Sequence, residues 1–252
     1  MKVLVVCKNE DEKDNYELIN LVGKYCEKAV YAWKNTLTRK DFEDVDFVIS
    51  IGGDGTALSA SHFIYDKPLL AVNSSPAESV GALTTINIDN LEEELAKIKS
   101  GDYKTENLER IEIWINGKKG EHLALNDVFI ASEKAYHISR YKLRFKDVEE
   151  MQKSSGLIFS TGTGSTAWFR SSGGKPFSPQ SKFIKMITRE PYCGKNECFL
   201  KLGNLEINEN EEVEIIPFVK SVLAVDSIRE SLLNPGDIVK IKISNNPLKR
   251  IL

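Results

Sequence analysis

A short apolar run that ends in a glycine-rich turn is the feature that most limits the folds open to this 252-residue chain. Phe47 to Ile51 has the composition of a buried strand, and Gly52-Gly53-Asp54-Gly55-Thr56 follows it directly. Because glycine lacks a Cβ, such a turn lets backbone N–H groups approach phosphate oxygens at the start of a helix. Asp54 is the one side chain of the turn that can accept a proton, which favours phosphoryl transfer. A tight turn without a ligand is the alternative, and the motif is neither a Walker loop nor the Gly-x-Gly-x-x-Gly dinucleotide pattern.

The order of strand-like and helix-like segments predicts two domains. Over the first hundred residues, strands and helices alternate as in a parallel α/β layer. The strands are expected at Val3 to Cys7, Asp46 to Ile51 and Pro68 to Asn73, and the helices at Tyr16 to Lys28, Thr56 to Tyr65 and Leu91 to Lys99. After Gly101 the pattern becomes β-rich, with few helix signals. We therefore expect an α/β nucleotide-binding domain over residues 1–101 and a mostly β, β-sandwich-like domain over residues 102–252, with a tail that could pack back on the first.

Composition and charge exclude several classes of partner. The net charge of -3 gives no global attraction to nucleic acid or to an anionic membrane. No apolar run approaches the ~20 residues that a membrane helix needs, and the first residues are typical of a strand rather than a signal peptide. The four cysteines, Cys7, Cys26, Cys193 and Cys198, are scattered, so we expect reduced thiols and a cytoplasmic protein.

Two further polar segments could contact a nucleotide. Ser154 to Trp168 offers hydroxyl and N–H groups to phosphate and ribose oxygens, and it contains the apolar strand Leu157 to Phe159, which a flexible serine-rich loop would not normally keep. Asn126-Asp127 interrupts an apolar segment and offers donors and acceptors that suit a ribose diol and an adenine edge. Taken alone, this pair is more simply interpreted as a β-turn or bulge.

Together, and in this order, the three segments resemble those of the NAD kinases. The turn at 52 to 56 matches the family's Gly-Gly-Asp-Gly-Thr, Asn126-Asp127 takes the place of its Asn-Glu, and Thr161 to Trp168 takes the place of its Thr-Pro-Thr-Gly-Ser-Thr-Ala-Tyr. The resemblance extends from the first strand to Asp226. Asn73 to Gly81, Ser155 in place of an aspartate, and Thr188 to Pro191 are similar to the branch that includes the mitochondrial-type enzymes.

The resemblance implies an enzyme that transfers the γ-phosphate of ATP to the 2′-hydroxyl of the adenosine ribose of NAD, giving NADP. Asp54 would accept the proton of that hydroxyl. The other residues implied to bind the two nucleotides are Gly52, Gly53, Gly55, Thr56, Asn73, Asn126, Asp127, Ser155, Thr161, Gly162, Thr163, Gly164, Ser165, Thr166, Ala167, Trp168 and Ser171. Mg²⁺ would act through the donor's phosphates, without dedicated protein ligands, and the chain would form a homodimer or homotetramer.

Two alternatives stay open from the sequence. Lipid kinases of the diacylglycerol and sphingosine type are similar around Gly-Gly-Asp-Gly-Thr, but they need a membrane-facing amphipathic surface that this chain lacks. A module that binds NAD without phosphoryl transfer is the second alternative, and Asp54 argues against it. Arg170, Lys175 and Arg189 could meet phosphate, although a single basic residue is more often a solvated surface group.

Overall fold

The computed structural model describes residues 1–8, 15–76, 81–195 and 199–252, without the side chains of residues 15–17. Cys198 and residues 77–80 of the Asn73 to Gly81 segment lie outside the described residues. The chain forms two compact units. The first consists of Met1–Asn107 with Leu248–Leu252, and the second of Leu108–Pro247.

The first unit is built on a seven-stranded sheet in the order β2-β1-β3-β4-β19-β6, with β5 added beside β4. Its strands are β1 (Lys2–Cys7), β2 (Lys28–Trp33), β3 (Phe47–Gly52), β4 (Leu69–Asn73), β5 (Ile86–Asn87), β6 (Thr105–Leu108) and, from the end of the chain, β19 (Leu248–Ile251). Strands β1 to β5 pair in parallel, and β19 runs parallel to β4. The helices are α1 (Asn15–Tyr25), α2 (Asp54–Ser61) and α3 (Leu91–Ser100).

Burial explains why this sheet forms from these residues. Val3, Val5 and Ile49 are fully buried in one cluster with residues of α1 and α3, as expected for central parallel strands covered by helices. On α3 the buried residues Leu91, Leu95 and Ile98 follow the helical repeat, and Gly101, at a φ of 79°, ends the helix. Helix α1 ends earlier than predicted because Lys28 begins β2, a strand that the sequence pattern did not show.

The second unit contains two six-stranded sheets in which the strands pair antiparallel. The strands are β7 (Ile111–Ile115), β8 (Lys118–Lys119), β9 (Asp127–Ser132), β10 (Ser139–Phe145), β11 (Val148–Ser154), β12 (Leu157–Ser160), β13 (Phe183–Thr188), β14 (Asn204–Asn208), β15 (Glu212–Pro217), β16 (Ser221–Val225), β17 (Arg229–Leu233) and β18 (Val239–Ile243). The first sheet has the order β11-β10-β15-β18-β7-β8 and the second β14-β13-β12-β9-β16-β17. A short helix, α4, spans Trp168–Ser171.

One apolar core holds these two sheets together. Leu143 and Ile215 of the first sheet are fully buried in the same cluster as Val128, Phe159 and Met186 of the second. Inward apolar residues of two facing sheets are the usual core of a β-sandwich. The predicted fold class, an α/β N-terminal part followed by a mostly β, sandwich-like part, is confirmed.

The cysteines and the helices bear on two further expectations. Cys7 and Cys26 are buried and free, whereas Cys193 is disulfide-bonded, so the prediction of reduced thiols is wrong at Cys193. It failed because spacing along the chain does not decide which sulfur atoms meet in the fold.

Within the described residues, every helix is too short or too polar to cross a lipid bilayer.

Candidate active site

The glycine turn joins β3 to α2 in the first unit. Gly52 ends the strand at a φ of 151°, and a Cβ on it would lie 2.4 Å from Thr56 Oγ1. Gly53 is extended and caps the helix, and the Thr56 N–H donates to its carbonyl oxygen at 2.9 Å. Glycine is therefore required at Gly52 by both torsion and space. The exposed Gly55 and the half-buried Asp54 form the first turn of α2.

The Asp54 carboxylate is bound by three consecutive backbone N–H groups. Its Oδ2 accepts from Ala82 at 2.9 Å, and its Oδ1 accepts from Leu83 at 2.8 Å and Thr84 at 3.3 Å. A carboxylate has about four acceptor positions, so about one remains for a ligand hydroxyl. The three bonds hold the carboxylate in a single orientation.

Arg250 of β19 binds the same loop from its carbonyl side. Its guanidinium donates to the carbonyl oxygens of Ala82 at 3.1 Å and Leu83 at 3.0 Å, and its Nε donates to Glu106 at 2.9 Å. The loop that orients Asp54 is thus held at both its N–H and its C=O groups. Arg250 was not among the predicted site residues, since nothing in the local pattern of β19 points to residue 54.

Asn73 ends β4 beside the glycine turn. It pairs in register with Gly52, and the Ser74 N–H donates to the Gly52 carbonyl oxygen at 3.1 Å. The Asn73 side chain is buried and accepts the Ser75 N–H at 3.0 Å. It lines a cavity of about 300 Å³ with Gly81, Thr84, Asn87 and Asn90, among others. Ligands of parallel α/β sheets bind outside the carboxyl ends of the strands, which is where these residues lie.

In the second unit, Asn126-Asp127 forms the turn that enters β9, and Asp226 holds that turn. The Asp226 carboxylate accepts the backbone N–H groups of Leu125 at 2.8 Å, Asn126 at 2.7 Å and Asp127 at 2.9 Å. Asp226 follows β16 directly, in a turn, and its φ of 52° lies in the left-handed region, which aspartate adopts more often than most residues. From the sequence, Asp226 marked only the extent of the resemblance, and no role in holding this turn was predicted for it.

Burial sets the chemistry of the Asn126-Asp127 pair. The Asp127 carboxyl is 5% exposed, and its burial, with a smaller contribution from the Asp226 charge, raises its pKa to about 7. The buried Asn126 Oδ1 has no hydrogen-bond partner among the described residues, and neither has Thr163 Oγ1. Buried polar atoms without a partner are rare, so these two are candidates for contacts with a ligand.

The run from Thr161 to Trp168 packs on this turn and is not a free loop. Thr161 Oγ1 donates to the Leu125 carbonyl oxygen at 2.5 Å and accepts the Gly164 N–H at 3.1 Å. A Cβ on Gly164 would lie 2.2 Å from the Asn126 carbonyl oxygen, and one on Gly162 would lie 2.0 Å from that of Ser178. The backbones meet so closely that only glycine fits at either position.

The remaining residues of this run divide into buried and exposed groups. Ser165 is buried, its Oγ lies 2.7 Å from the Gly162 carbonyl oxygen, and it accepts the Phe177 N–H at 3.1 Å. Thr166 and Ala167 are exposed, and the exposed Ser171 on α4 has its Oγ 3.4 Å from the Ala167 carbonyl oxygen. Thr161 and Ser165 therefore shape the run, while Thr166 and Ala167 present groups to the outside.

Trp168 lies beside the basic Arg189, and Ser155 contacts the acidic Glu190. The resemblance assigned neither of these two partners to the site. The Trp168 ring lies 4.6 Å from that of Phe129, and the Arg189 guanidinium lies 5.5 Å from the Trp168 ring. Ser155 Oγ donates to the Glu190 carboxylate at 2.5 Å, and its N–H donates to the Arg189 carbonyl oxygen. Arg170 and Lys175 are exposed.

Comparisons with known proteins agree with this geometry. A sequence model of the ATP-NAD kinase N-terminal domain matches residues 5–103. The NAD kinase of Azotobacter vinelandii (strain DJ) is 33% identical over 214 residues, which cover 81% of this chain and 70% of that protein. The chain belongs to the NAD kinase family. This confirms the family that the three segments predicted.

Solved structures of NAD kinases share the fold. An NAD kinase from Archaeoglobus fulgidus in complex with ATP superposes with a TM-score of 0.80 at 23% identity, covering 99% of this chain and 93% of that one. Yeast NADH kinase complexed with NADH gives a TM-score of 0.83 at 16% identity, covering 100% and 83%. At such low identity, these two similarities show only the fold of this family member.

Proposed function

We propose that this chain is an ATP-dependent NAD kinase, which transfers the γ-phosphate of ATP to the 2′-hydroxyl of the adenosine ribose of NAD. The observation that carries the proposal is the carboxylate of Asp54, held by three N–H groups at a glycine turn with an acceptor position left over. In the reaction the ribose oxygen forms a bond to the γ-phosphorus while the bond to the β-phosphate oxygen breaks. The products are NADP and ADP, and the hydroxyl proton passes to Asp54.

Asp54 acts chiefly by placing the hydroxyl. Phosphoryl transfer depends on in-line geometry and on neutralising the equatorial oxygens, and the proton is accepted late. Because the loop at 82–84 fixes both carboxylate oxygens, the acceptor position points in one direction. The backbone of Gly52, Gly53, Gly55 and Thr56 supports the donor phosphates next to it.

The second unit supplies groups that suit NAD. Asn126 Oδ1 and Thr163 Oγ1 are buried without partners among the described residues, and they match the amine and hydroxyl groups of a nucleoside. Asp127, largely protonated up to a pH near 7, can donate a hydrogen bond that an ordinary aspartate cannot. Thr166, Ala167 and Trp168 belong to the same run as Thr163 and are proposed to contact NAD with it.

We propose that the acidic residue Glu190 lies near the nicotinamide end of NAD. Ser155 stands where the commoner family members have an aspartate, and its hydroxyl binds the Glu190 carboxylate at 2.5 Å. A carboxylate is thus present next to this position although residue 155 is not acidic. Placement in the branch of the mitochondrial-type enzymes rests on such motif differences alone and stays a prediction, as do the homo-oligomer and the cytoplasmic location.

Magnesium has no cluster of side-chain ligands in the part of the chain that the structure describes. Among the described residues, no three metal-binding side chains lie close enough together to hold an ion. Mg²⁺ often reaches a protein on substrate phosphates with few protein ligands, so we assign no step to a protein-bound metal. The alternatives of a lipid kinase and of a non-catalytic NAD-binding module gain no support from the relatives.

The test is formation of NADP by the purified protein with ATP, Mg²⁺ and NAD. We expect product from the parent chain, and we expect Asp54→Asn to bind NAD while losing about 100-fold or more of turnover, as is typical of a positioned proton acceptor. Thr36→Ala, on the surface of the same unit, serves as the matched control. No NADP from NAD, and no NADPH from NADH, with ATP or polyphosphate would overturn the proposal. Turnover of Asp54→Asn equal to that of the parent would remove Asp54 from this role.

A further inference from the structure

A second cavity, in the second unit, lies between the end of β9 and the start of β10. Its volume is about 760 Å³, and it is lined by Lys134, His137, Arg140 and Lys220, among others. Nothing in the glycine turn or the Asn126-Asp127 turn contributes to it. Asp127 begins β9 and Ser132 ends it, so this cavity lies at the opposite end of a strand about 17 Å long.

Basic side chains outnumber acidic ones in the lining of this cavity. Among the described residues, Lys134, Arg140 and Lys220 make no ion pair, and Glu133 is the one carboxylate that lines the cavity. Other basic residues of β10, in contrast, form ion pairs. Two residues further along the same outward face, Lys142 pairs with Glu149 at 2.7 Å, and Arg144 pairs with both Glu149 and Glu214.

The backbone around the cavity is already ordered. The Glu133 N–H donates to the Lys220 carbonyl oxygen at 3.0 Å, and the Phe218 N–H donates to that of Arg140 at 2.8 Å. These bonds join the two segments that carry the cations. The charges are thus brought together by main-chain contacts, although like charges repel.

An aromatic side chain stands at the rim. Tyr136 is 78% exposed, and its ring lies edge-on to that of His137, with 4.7 Å between the ring centres. Exposed aromatic rings beside cations are a common platform for nucleobases. The volume lies within the range of small-molecule sites and exceeds what one phosphate needs.

We propose that this cavity binds a ligand with a chain of two or more phosphates, either a nucleoside polyphosphate or free polyphosphate. Lys134, Arg140 and Lys220 bind the phosphate oxygens, and Tyr136 contacts the base when one is present. This site is additional to the one that carries out phosphoryl transfer.

The experiment is calorimetric titration of the full chain with inorganic tripolyphosphate and, separately, with ATP. In each titration, we expect the parent to bind one more equivalent of the added ligand than the triple variant K134A/R140A/K220A binds. Arg140→Ala alone is expected to weaken this extra site about tenfold, the effect of losing a charge-assisted hydrogen bond. Arg144→Ala is the matched control, because it removes the same charge from the same face of the same strand. Melting temperatures of all variants report on folding.

The titrations distinguish the two kinds of ligand and can also exclude the site. Equal binding of tripolyphosphate and ATP at the extra site supports a phosphate-chain ligand, and tighter ATP binding that falls in Tyr136→Ala supports a nucleotide. An unchanged stoichiometry in a folded triple variant overturns the site, as does an equal loss in Arg144→Ala. Should the triple variant fail to fold, Lys220→Glu replaces it, and full binding by that variant overturns the proposal.

Discussion

Two aspartates of this chain perform the same structural task in different units. Asp54 and Asp226 each accept three consecutive backbone N–H groups, those of residues 82–84 and 125–127 respectively. A charged acceptor bound by several N–H groups forms stronger hydrogen bonds than a neutral one. At the residue scale, the candidate site therefore depends on carboxylates that orient the backbone as much as on side chains that touch a ligand.

Asp226→Ala tests the second of these carboxylates. The change leaves three N–H groups without their acceptor, so we expect the KM for NAD to rise about tenfold or more and stability to fall by about 1–3 kcal/mol. The control is Asp237→Ala, since Asp237 accepts the Asn234 N–H in a turn that contains no candidate site residue. That variant should lose stability with little change in KM. Similar KM changes in both variants would show that Asp226 has no specific effect on the NAD pocket.

The raised pKa of Asp127 predicts how stability changes with pH. In the unfolded chain this carboxyl has its ordinary pKa near 3.8, and in the folded chain burial raises its pKa to about 7. Between these values the folded state holds a proton that the unfolded state has lost, so stability falls as pH rises through this window. Asp127→Asn removes this loss. Since each tenfold change in proton affinity is worth about 1.4 kcal/mol, we expect the variant to gain on the order of a few kcal/mol on the parent between pH 4 and 8.

Urea denaturation of both proteins at pH 4, 6 and 8 measures this difference. The gain of Asp127→Asn over the parent should be smallest at pH 4, where the unfolded parent, with a pKa near 3.8, still holds part of the proton that the folded parent holds. A difference that does not vary with pH would mean that Asp127 titrates in the folded chain as it does in the unfolded one.

At the scale of elements, close backbone contact defines the Thr161 to Trp168 run. A Cβ on Gly164 meets the Asn126 carbonyl oxygen at 2.2 Å, and both are main-chain groups that a rotamer change cannot separate. We expect Gly164→Ala to cost about 2 kcal/mol or more in the free energy of unfolding and to abolish tight NAD binding.

Gly23→Ala is the control for this effect. Gly23 lies inside α1, and a Cβ there meets nothing within 4 Å. Because alanine is the better helix former, this variant should be stabilised by about 0.5–1 kcal/mol. Thermal melting and NAD titration measure both variants. A Gly164→Ala protein as stable as the parent would show that the run can move away from Asn126.

Individual elements also show how far sequence patterns reach. The glycine turn, β3 and β4 were predictable because a buried apolar run, a glycine cluster and a helix are local signals. By contrast, the short strands β2, β5 and β8 gave no such signal, and neither did β19, whose four residues join a sheet through contacts distant in sequence. For the same reason Asp54 could be chosen from the motif, whereas Arg250 and Glu190 could not.

At the scale of the whole molecule, Arg250 connects the end of the chain to the candidate active site. Its side chain is 13% exposed and bonds to the carbonyl oxygens of the loop that orients Asp54. We expect Arg250→Ala to lower kcat about tenfold, because the loss of charge-assisted bonds frees this loop. Lys249→Ala, at the exposed neighbouring position, should behave as the parent.

Steady-state kinetics with ATP and NAD distinguish this role from general destabilisation. A loss of kcat at temperatures well below the melting point, with the KM for NAD little changed, supports a positioning role for Arg250. Equal kcat values for Arg250→Ala and the parent would show that Asp54 alone is enough to order the loop.

The place of β19 in the first sheet has a consequence for protein synthesis. This strand lies between β4 and β6, yet it leaves the ribosome only after residues 1–247 have been made. Domains commonly fold in order as the chain emerges, at about 5–20 residues per second. Here the first unit can complete its sheet only after the second unit, which precedes β19 in the chain, has been made. A nascent chain that lacks β19 would therefore carry Asp54 on an incomplete sheet, without the bonds from Arg250 to the loop at 82–84.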